Sequence, residues 1–349
     1  MAPITVVVRA LLEPRFLLAT CATAFVITLA CTRAWIRVSS KMGLVARDQN
    51  KHGDQYAAES GGMWVSVGSS FGLMLLVALY RYLEGFYYHL EALFSLTVIL
   101  LLSSFLGFMD DLLGWKKGLK VWQRVALMGP LALPLVVIKA GTTKMELPLV
   151  GVVDFGPLYP LLLVPIGVIG ASNAFNMLAG YNGLEAGMGF LLMAFVGAYA
   201  ALKNLDYIAY ASLIMMASLL AFLVYNWYPA RAFPGNSLTY GFGAYYAGLV
   251  ILGNFERFGV LLFGLYFVEL LLFVRGLLNG VYKENFGKPR PDGTLEPPYE
   301  KSYSVTHLAI KVLIGVRGYA TERAVVLLVL LLQLALGVLL QALVSMGKL

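Results

Sequence analysis

The stretch SSFLGFMDDLLGWKKGLK, from Ser103 to Lys120, decides how the rest of the chain is interpreted. A long apolar run ends there in two adjacent acids, Asp110 and Asp111, and basic residues follow within a few positions. Ionisable side chains at the edge of a hydrophobic segment are costly in a membrane and usually face a cavity or a partner. The two carboxylates therefore point to a functional site at the mouth of a membrane-spanning helix.

The composition of the whole chain agrees with a membrane setting. Of its 349 residues, 60% are hydrophobic and only 13% are charged, and the mean hydropathy is +0.78. A soluble domain of this length is far less apolar, so we predict an integral membrane protein. The net charge of +7 is then explained by topology and by anionic lipid head groups. We expect membrane lipids, and no nucleic acid, among its partners.

Apolar runs of roughly 17 to 25 residues predict about ten transmembrane helices. The predicted spans cover residues 16–35, 62–83, 90–109, 121–138, 158–177, 185–202, 208–225, 240–252, 258–281 and 324–346. Neither a repeat nor a linker divides the chain, so residues 1–349 are predicted to form one domain. The predicted fold class is thus an all-α integral membrane protein.

Charge predicts the orientation of these helices. Most of the 26 lysines and arginines fall in alternate loops, which the positive-inside rule assigns to the cytoplasm. These loops cover about residues 36–61, 109–121, 173–184, 226–239 and 282–323. Both termini then face outward, and the outer segment 142–155 is predicted to form a small β-hairpin around Pro148 and Gly151.

Polar residues from four parts of the sequence fall on the predicted cytoplasmic side. They are Asp110, Asp111, Asn173, Asn176, Asn182, Asn226 and Asn236. We expect them to converge on a site, because polar groups at this depth usually serve a function. A single Asn could equally well make an interhelical hydrogen bond.

The segment NAFNMLAGYNGLEAG, residues 173–187, is the most informative of these. Asn173 and Asn176 lie three residues apart and so share a face of a helix end. Gly180 and Gly183 then break the helix and let backbone N–H groups approach a ligand. This pattern favours a site for an anion or a metal-bound phosphate. A helix C-cap followed by an Asn-Gly turn is the alternative.

Four segments together resemble one enzyme superfamily. They are GLVARDQNKHGDQYAAESGG (43–62), FLGFMDDLLGWKKGLK (105–120), NAFNMLAGYNGLEAG (173–187) and NWYPARAFPGNSLTYGFG (226–243). Their order and content are similar to the cytoplasmic motifs of the polyprenyl-phosphate N-acetylhexosamine-1-phosphate transferases. The strongest resemblance is to the archaeal and eukaryotic UDP-GlcNAc:dolichyl-phosphate GlcNAc-1-phosphotransferases, and it runs from Gly43 to the C-terminus. It implies ten transmembrane helices.

The resemblance also implies a reaction. The phosphate of a polyprenyl or dolichyl carrier attacks the β-phosphorus of UDP-GlcNAc, which releases UMP and leaves GlcNAc-diphosphopolyprenol, the first lipid-linked intermediate of N-glycosylation. It implies Mg²⁺ or Mn²⁺ as cofactor, since two polyanions must approach each other. Sensitivity to tunicamycin is implied as well.

The resemblance assigns the metal to Asn176 and to position 236. The family pattern at the second position is G-D-[ST], whereas this chain reads Gly235-Asn236-Ser237. An amide oxygen can bind Mg²⁺ but lacks the charge of a carboxylate, so weaker metal binding and slower turnover are expected. Either an engineered substitution or a divergent homologue would explain Asn236.

Further roles are carried over on matching positions. Glu59 and Asn182 match contacts to the uridine and nearby polar groups, Asn173 joins the substrate-binding set, and Lys120 matches a phosphate-binding lysine. Lys283 and Arg290 are assigned to the diphosphate, since Arg presents a fork suited to phosphate oxygens. Glu59 as a solvated loop acid and Lys120 as a topology-setting charge remain alternatives.

The two acids of the opening stretch are predicted to be catalytic. A carrier phosphate is already largely dianionic at neutral pH, with a second pKa of about 6, so it needs little help from a base. We therefore expect one of Asp110 and Asp111 to orient Lys120 or metal-bound water, while the other shapes the local field. His307, which begins the last amphipathic stretch, is expected to be structural.

Several alternatives stay open on the sequence alone. The donor could be another UDP-N-acetylhexosamine, because the loop at 283–306 matches the family poorly. A transporter or a non-catalytic scaffold represents a different class of protein. The bacterial phospho-MurNAc-pentapeptide branch is rejected, because it carries a His-rich motif in this loop and the chain has only three His and no His cluster. Compact outer loops favour an archaeal cell membrane over the endoplasmic reticulum, and the oligomeric state, a homodimer included, is left open.

Overall fold

The structure is a computed structural model and describes residues 2–85, 88–114, 118–147 and 151–349. Lys116, Lys117 and Pro148, which entered the predictions above, lie outside the described residues. The helices in the described part are α1 (Ala2–Met42), α2 (Met63–Leu79), α3 (Leu90–Leu112), α4 (Val121–Leu131), α5 (Leu133–Val137), α6 (Val164–Met177), α7 (Leu184–Leu202), α8 (Asp206–Asn226), α9 (Gly235–Gly253), α10 (Glu256–Leu262), α11 (Gly264–Leu278), α12 (Val305–Arg317) and α13 (Glu322–Ser345).

Three short antiparallel hairpins accompany the helices. They pair β1 (Val45–Arg47) with β2 (Tyr56–Ala58), β3 (Lys144–Leu147) with β4 (Gly151–Asp154), and β5 (Lys288–Pro289) with β6 (Leu295–Glu296). The second pair lies within the segment for which the sequence predicted a hairpin. The chain is thus helical with small β-hairpins in its loops, in agreement with the predicted all-α class.

Each predicted span coincides with helical structure, but not every one is a long apolar helix. Within the described residues, seven helices are long and apolar enough to cross a membrane, or eight if the pair α10 and α11, bent by 57°, counts as one span. The predicted span 121–138 is divided between α4 and α5, with Pro130 and Pro134 beside the break. The count of ten transmembrane helices therefore stays a prediction.

Helix α9 is buried within the bundle, and its position explains why a helix of 19 residues is not apolar enough to count among the membrane spans. Every residue from Ser237 to Ile251 is buried, and α9 packs along both α3 and α6. Its tyrosine hydroxyls bond to neighbouring helices: Tyr245 donates to the Ala211 carbonyl at 2.9 Å and Tyr246 to the Gly259 carbonyl at 2.7 Å. A helix that is surrounded by protein can carry polar groups that lipid would not tolerate.

Small residues let α3 approach α9 closely. A Cβ atom at Gly107 of α3 would lie 2.2 Å from the Asn236 carbonyl oxygen, and one at Gly241 of α9 would lie 1.9 Å from the Ser104 hydroxyl. Larger side chains would force the two helices apart. The close approach brings the end of α3, with its two acids, against the start of α9.

The hairpin of β1 and β2 is attached to the segment that leads into α9. Ala58 of β2 accepts from the Phe233 N–H at 2.8 Å and donates to the Arg231 carbonyl at 3.0 Å, so Ala58 and Ala232 form a parallel β-bridge. Gly61 and Gly62 donate to the carbonyls of Phe233 and Pro234 at 2.8 and 3.1 Å. These bonds fix the loop that carries Glu59 and Ser60 beside the first turn of α9.

His307 has the structural role expected from the sequence. Its Nδ1 accepts from the Tyr303 N–H at 3.3 Å and its Nε2 donates to the Glu284 carbonyl at 2.9 Å, which joins the start of α12 to the preceding loop. Burial lowers the pKa of His307 from 6.5 to about 4, and the nearby charges of Lys283 and Lys311 act in the same direction.

This lowered pKa predicts how stability depends on pH. Between pH 6.5 and pH 4 the unfolded chain binds a proton at His307 that the folded chain excludes, so acidification through this window destabilises the protein by up to about 3 kcal/mol. His307→Gln should flatten the fall of the melting temperature of the detergent-solubilised protein between pH 7 and pH 4. His52→Gln, in an exposed loop, is the matched control; an unchanged slope in His307→Gln would refute this role.

Candidate active site

Asp111 holds the start of α9. Its Oδ1 accepts from the Asn236 N–H at 2.9 Å, and its Oδ2 accepts from the Ser237 N–H at 3.3 Å and from the Ser60 hydroxyl at 2.6 Å. The first N–H groups of a helix have no partner within the helix and favour negative charge. Asp111 therefore acts as a cap supplied by a different helix. Gly235, with φ +67°, leaves room for it, since a Cβ atom there would lie 2.3 Å from Oδ2.

Asp110 is buried and accepts three hydrogen bonds from residues that the structure describes. Its Oδ1 accepts from the Leu119 N–H at 2.6 Å, and its Oδ2 accepts from the Tyr240 hydroxyl and from Asn236 Nδ2, both at 3.0 Å. All three partners are donors, so the carboxylate acts only as an acceptor. Asp110 thus connects α3 to the beginning of α4 and to α9.

Asn176 and Asn236 meet at this point, as the sequence predicted. Asn176 Nδ2, from the last turn of α6, donates to Asn236 Oδ1 at 2.7 Å and to the Thr239 hydroxyl at 2.9 Å. Both hydrogens of its amide are used in this way, which leaves Asn176 Oδ1 as the atom available to a ligand. Asp110, Asp111, Asn176 and Asn236, which come from three separate helices, therefore form one cluster, and we call it the Asp-Asn cluster.

The donor set of the Asp-Asn cluster suits Mg²⁺ or Mn²⁺ bound partly through substrate. The side chains of Asn176 and Asn236 are in contact and each carries an amide oxygen, and hard oxygen ligands are the ones that Mg²⁺ prefers. Among the described residues, no group of three or more His, Cys, Asp or Glu side chains could hold a metal ion by itself. Mg²⁺ commonly takes only one or two protein ligands and completes its shell with water and phosphate oxygens. Asn176 and Asn236 fit that pattern.

Three residues that bond to the Asp-Asn cluster were not predicted from the sequence. Ser60, Thr239 and Tyr240 each bond to one of the predicted site residues. Thr239 and Tyr240 follow Asn236 by three and four residues on the same helix, so their side chains lie on its face. That spacing was the available signal for these two residues, whereas Ser60 reaches the cluster only through the folding of the hairpin loop.

Glu59 lies beside the cluster with its carboxyl half-buried. Its carbonyl oxygen accepts from Trp35 Nε1 at 2.7 Å, which ties the loop to α1. Burial raises the pKa of the Glu59 carboxyl to about 8, and the negative charges of Asp111 and Glu185 add to this effect. The side chain is thus a proton-bearing acid at neutral pH and can donate a hydrogen bond.

Lys120 and Asn173 have a looser relation to the cluster. The Lys120 side chain is exposed at the start of α4, while its backbone is fixed: the N–H donates to Gln123 Oε1 at 2.8 Å and the carbonyl accepts from the Arg124 N–H at 3.0 Å. Asn173 turns back to its own helix, where Nδ2 donates to the Ile169 carbonyl at 2.8 Å. Asn173 and Asn176 therefore do not act together at the Asp-Asn cluster, because their amides bond to different partners. Asn226 likewise bonds to the Ala232 carbonyl, within its own turn.

Asn182 belongs to a second, buried network. Its Nδ2 donates to Asp48 Oδ2 at 3.0 Å and its backbone N–H donates to Glu322 Oε1 at 2.8 Å. Lys51 forms ion pairs with both of these acids and lies 3.9 Å from the centre of the Tyr228 ring. The network joins the loop between α1 and α2 to α13. The uridine role of Asn182 stays a prediction, and it requires the bond to Asp48 to open.

Lys283 lies in a third network and is almost wholly buried. Its Nζ forms an ion pair with Glu269 of α11 and bonds to Asn285. Glu269 also accepts from the Ser304 hydroxyl at 2.9 Å and the Val305 N–H at 2.7 Å. Burial lowers the pKa of Lys283, while the charge of Glu269 acts in the opposite direction. Its predicted contact with the diphosphate would require this ion pair to break.

This arrangement predicts a large effect on stability. Lys283→Met leaves the Glu269 carboxylate buried without its partner, which typically costs about 3–5 kcal/mol. We expect the melting temperature of the detergent-solubilised protein to fall by several degrees. The double variant Lys283→Met/Glu269→Gln removes both charges and should recover most of the loss. An unchanged melting temperature in the single variant would contradict a structural ion pair.

Arg290 stands apart from these networks. It lies at the exposed turn after β5 and forms an ion pair with Glu296 of β6. Such exposed pairs contribute little to stability, so Arg290 could exchange its partner for a phosphate at low cost. Its assignment to the diphosphate remains a prediction.

Comparison with known proteins identifies the class. Residues 93–254, which hold all four residues of the Asp-Asn cluster, match the family model described as glycosyl transferase family 4. A Sulfolobus acidocaldarius protein provisionally named UDP-N-acetylglucosamine–dolichyl-phosphate N-acetylglucosaminephosphotransferase is 32% identical over 292 residues, which cover 82% of this chain and 85% of that protein. The Dictyostelium discoideum protein of the same name is 27% identical, over 85% of this chain and 80% of its own length.

A bacterial relative extends the comparison. The phospho-N-acetylmuramoyl-pentapeptide-transferase of Lactiplantibacillus plantarum is 30% identical over 260 residues, which cover 72% of this chain and 79% of that protein. A polytopic helical bundle with acids and amides gathered at the ends of its helices thus defines a membrane-bound transferase. The chain belongs to glycosyl transferase family 4. It is an enzyme, which sets aside the transporter and the scaffold.

Proposed function

We propose that the protein transfers GlcNAc-1-phosphate from UDP-GlcNAc to a polyprenyl or dolichyl phosphate. An oxygen of the carrier phosphate forms a bond to the β-phosphorus, the bond from that phosphorus to the bridging oxygen breaks, and UMP leaves with the electron pair. The products are UMP and GlcNAc-diphosphopolyprenol. The observation that carries the proposal is the Asp-Asn cluster, where hydrogen bonds from the amide NH₂ groups and from the Asn236 N–H join two asparagines and two aspartates of α3, α6 and α9.

The proposal includes Mg²⁺ or Mn²⁺ held by Asn176 and Asn236. When bound, the ion supplies positive charge that offsets the repulsion between the two substrates and the charge developing on UMP. The chain prepares the site by fixing the amides: Thr239 holds Asn176 with Oδ1 free, and Asp110 holds the NH₂ group of Asn236. Neither amide then needs to turn when a phosphate arrives.

The carboxylates of Asp110 and Asp111 support the site by holding neighbouring backbone groups in place. Asp111 anchors the first turn of α9, and Asp110 holds the backbone of Leu119 next to Lys120. Because Lys120 is exposed, its ammonium is free to meet the phosphate of a lipid carrier. The proposal therefore gives Lys120 the substrate contact and gives the acids the task of positioning.

The proposed location of the site is the cytoplasmic face, since the loops around the cluster carry most of the basic residues. The similarity to a Sulfolobus protein supports an archaeal cell membrane. The product would there be the first lipid-linked intermediate of glycoprotein synthesis. Another UDP-N-acetylhexosamine donor for a surface glycan is the alternative within the same chemistry.

The test is a transfer assay with purified protein in nanodiscs. UDP-GlcNAc and UDP-GalNAc are supplied in parallel with dolichyl phosphate or with an unsaturated polyprenyl phosphate, in the presence of Mg²⁺ or of EDTA. We expect Mg²⁺-dependent release of UMP and a lipid product whose mass is that of the carrier plus GlcNAc-1-phosphate, both blocked by tunicamycin. A lipid product formed only from UDP-GalNAc would show that UDP-GalNAc is the donor in place of UDP-GlcNAc. Release of UMP from neither donor would refute the proposal.

A further inference from the structure

Arg124 of α4 is held by two hydrogen bonds and does not act merely as a cytoplasmic charge. Its Nη1 donates to the Tyr240 hydroxyl at 3.0 Å and its Nε donates to the Leu119 carbonyl at 3.1 Å. The guanidinium is half-buried between the start of α4 and α9. A single planar fork thus joins two groups from separate parts of the chain.

Tyr240 and Leu119, the two residues to which Arg124 donates, also donate to Asp110. The Tyr240 hydroxyl donates to Asp110 Oδ2 at 3.0 Å, and the Leu119 N–H donates to Asp110 Oδ1 at 2.6 Å. The four residues therefore close a ring in which each carboxylate oxygen is bonded to a group that the guanidinium orients. Gly118 gives the carboxylate the space it needs, since a Cβ atom there would lie 2.3 Å from Oδ1.

The chemistry of the ring sets the direction of its hydrogen bonds. Arginine can only donate, so Tyr240 accepts from Arg124 and must give its own hydrogen to Asp110. Asp110 Oδ2 then also accepts from Asn236 Nδ2 at 3.0 Å. Because the NH₂ group of Asn236 faces Asp110, its Oδ1 must face Asn176. The guanidinium of Arg124 thus acts through Tyr240 and Asp110 on the orientation of the Asn236 amide, and so on which atom of Asn236 is presented at the proposed metal site.

We propose that Arg124 and Tyr240 are positioning residues that fix the Asp110 carboxylate and, through it, the Asn236 amide. The proposal rests on the proposed transfer reaction for its kinetic test. Neither residue needs to touch the substrate. Their effect should therefore appear in the rate of the chemical step and in metal binding, and not in the affinity for the nucleotide sugar.

The experiment is a double-mutant cycle with Arg124→Gln and Tyr240→Phe. Each single variant should lower kcat for UMP release roughly tenfold, the effect of losing one hydrogen bond to a charged group. The KM for UDP-GlcNAc should stay within about twofold of the wild type. The double variant should be no slower than the slower single variant, because the two residues act in one chain of bonds. Arg317→Gln removes an exposed positive charge of the same face and should leave kcat unchanged.

Three results would overturn the proposal. They are effects that multiply in the double variant, a rise in KM without a change in kcat in Arg124→Gln, and full activity in Arg124→Gln. If Arg124→Gln fails to fold, Arg124→Lys takes its place; it keeps the charge but loses the fork, and it should also lower kcat.

A Mn²⁺ titration separates this inference from the proposed function. If the wild type releases no UMP, the transfer reaction fails by itself, and the cycle is repeated on the affinity for Mn²⁺ measured by electron paramagnetic resonance. Arg124→Gln and Tyr240→Phe should then weaken Mn²⁺ binding by a similar factor, and the double variant should weaken it no further. Binding of Mn²⁺ that is unchanged in both single variants, or absent from the wild type, would overturn the inference.

Discussion

Asp110→Asn is expected to lower kcat for UMP release by about 10²–10³-fold, the scale seen when a preorganised polar group is removed from a site. The carboxylate accepts from Leu119, Tyr240 and Asn236. An amide in its place must turn its NH₂ group toward at least one of these donors, which breaks that bond and releases the Asn236 amide. Steady-state kinetics in nanodiscs, measured from pH 5.5 to 9, would give both the rate and its pH profile.

The shape of this profile decides the role of Asp110. A positioning role lowers the rate equally at all pH values, whereas a general base would lose the acid limb of the profile. Loss of that limb alone in Asp110→Asn would restore the base interpretation that the bonding argues against. Asp54→Asn is the matched control, because Asp54 is an exposed acid of the loop between α1 and α2 and should leave the profile unchanged.

Asn236→Asp is expected to change the response to metal more than any other single substitution. The amide now donates to Asp110 Oδ2 at 3.0 Å. A carboxylate at position 236 would place like charges at this distance and would leave Asp110 without one of its donors. The metal-free variant should therefore melt at a lower temperature than the wild type.

Metal binding should reverse that loss. An added charged ligand tightens the binding of a hard divalent cation, and we expect about 10–100-fold higher affinity for Mn²⁺, together with faster Mg²⁺-dependent turnover. Melting temperatures with EDTA and with saturating Mg²⁺ check the first effect, and a Mn²⁺ titration checks the second. Asn279→Asp, which adds a carboxylate at an exposed loop position, is the control. Equal metal affinity in Asn236→Asp and wild type would show that position 236 does not bind the ion.

Comparison of the predicted and observed sites shows where sequence reasoning reached its limit. Seven polar residues were expected to converge, because polar groups at this depth usually serve a function. The structure brings together Asp110, Asp111, Asn176 and Asn236, whereas Asn173, Asn182 and Asn226 bond elsewhere. The bonding partners were not predicted. Lys283 pairs with Glu269, fourteen residues earlier in the chain, and Asn182 bonds to Asp48, which lies 134 residues earlier in the chain.

Helix α9 shows the same limit at the level of the fold. Hydropathy measures suitability for lipid, and α9 contacts protein along almost its whole length. Its Gly, Thr and Tyr residues lower its hydropathy while they provide close packing and hydrogen bonds. A count of spans based on hydropathy cannot distinguish such a central helix from a shorter or interrupted one.

The sequence by itself determined the membrane setting, the positions of the helices, the family and the four residues at the centre of the site. These follow from local properties, namely apolar runs, charge bias and motifs read along the chain. Only the tertiary structure decided what each polar group does. Asp111 caps α9, Asp110 orients Asn236, and Arg124 reaches Asp110 through Tyr240. A hydrogen bond depends on distances of about 3 Å between residues far apart in sequence, and the packing of α3 against α9 sets those distances.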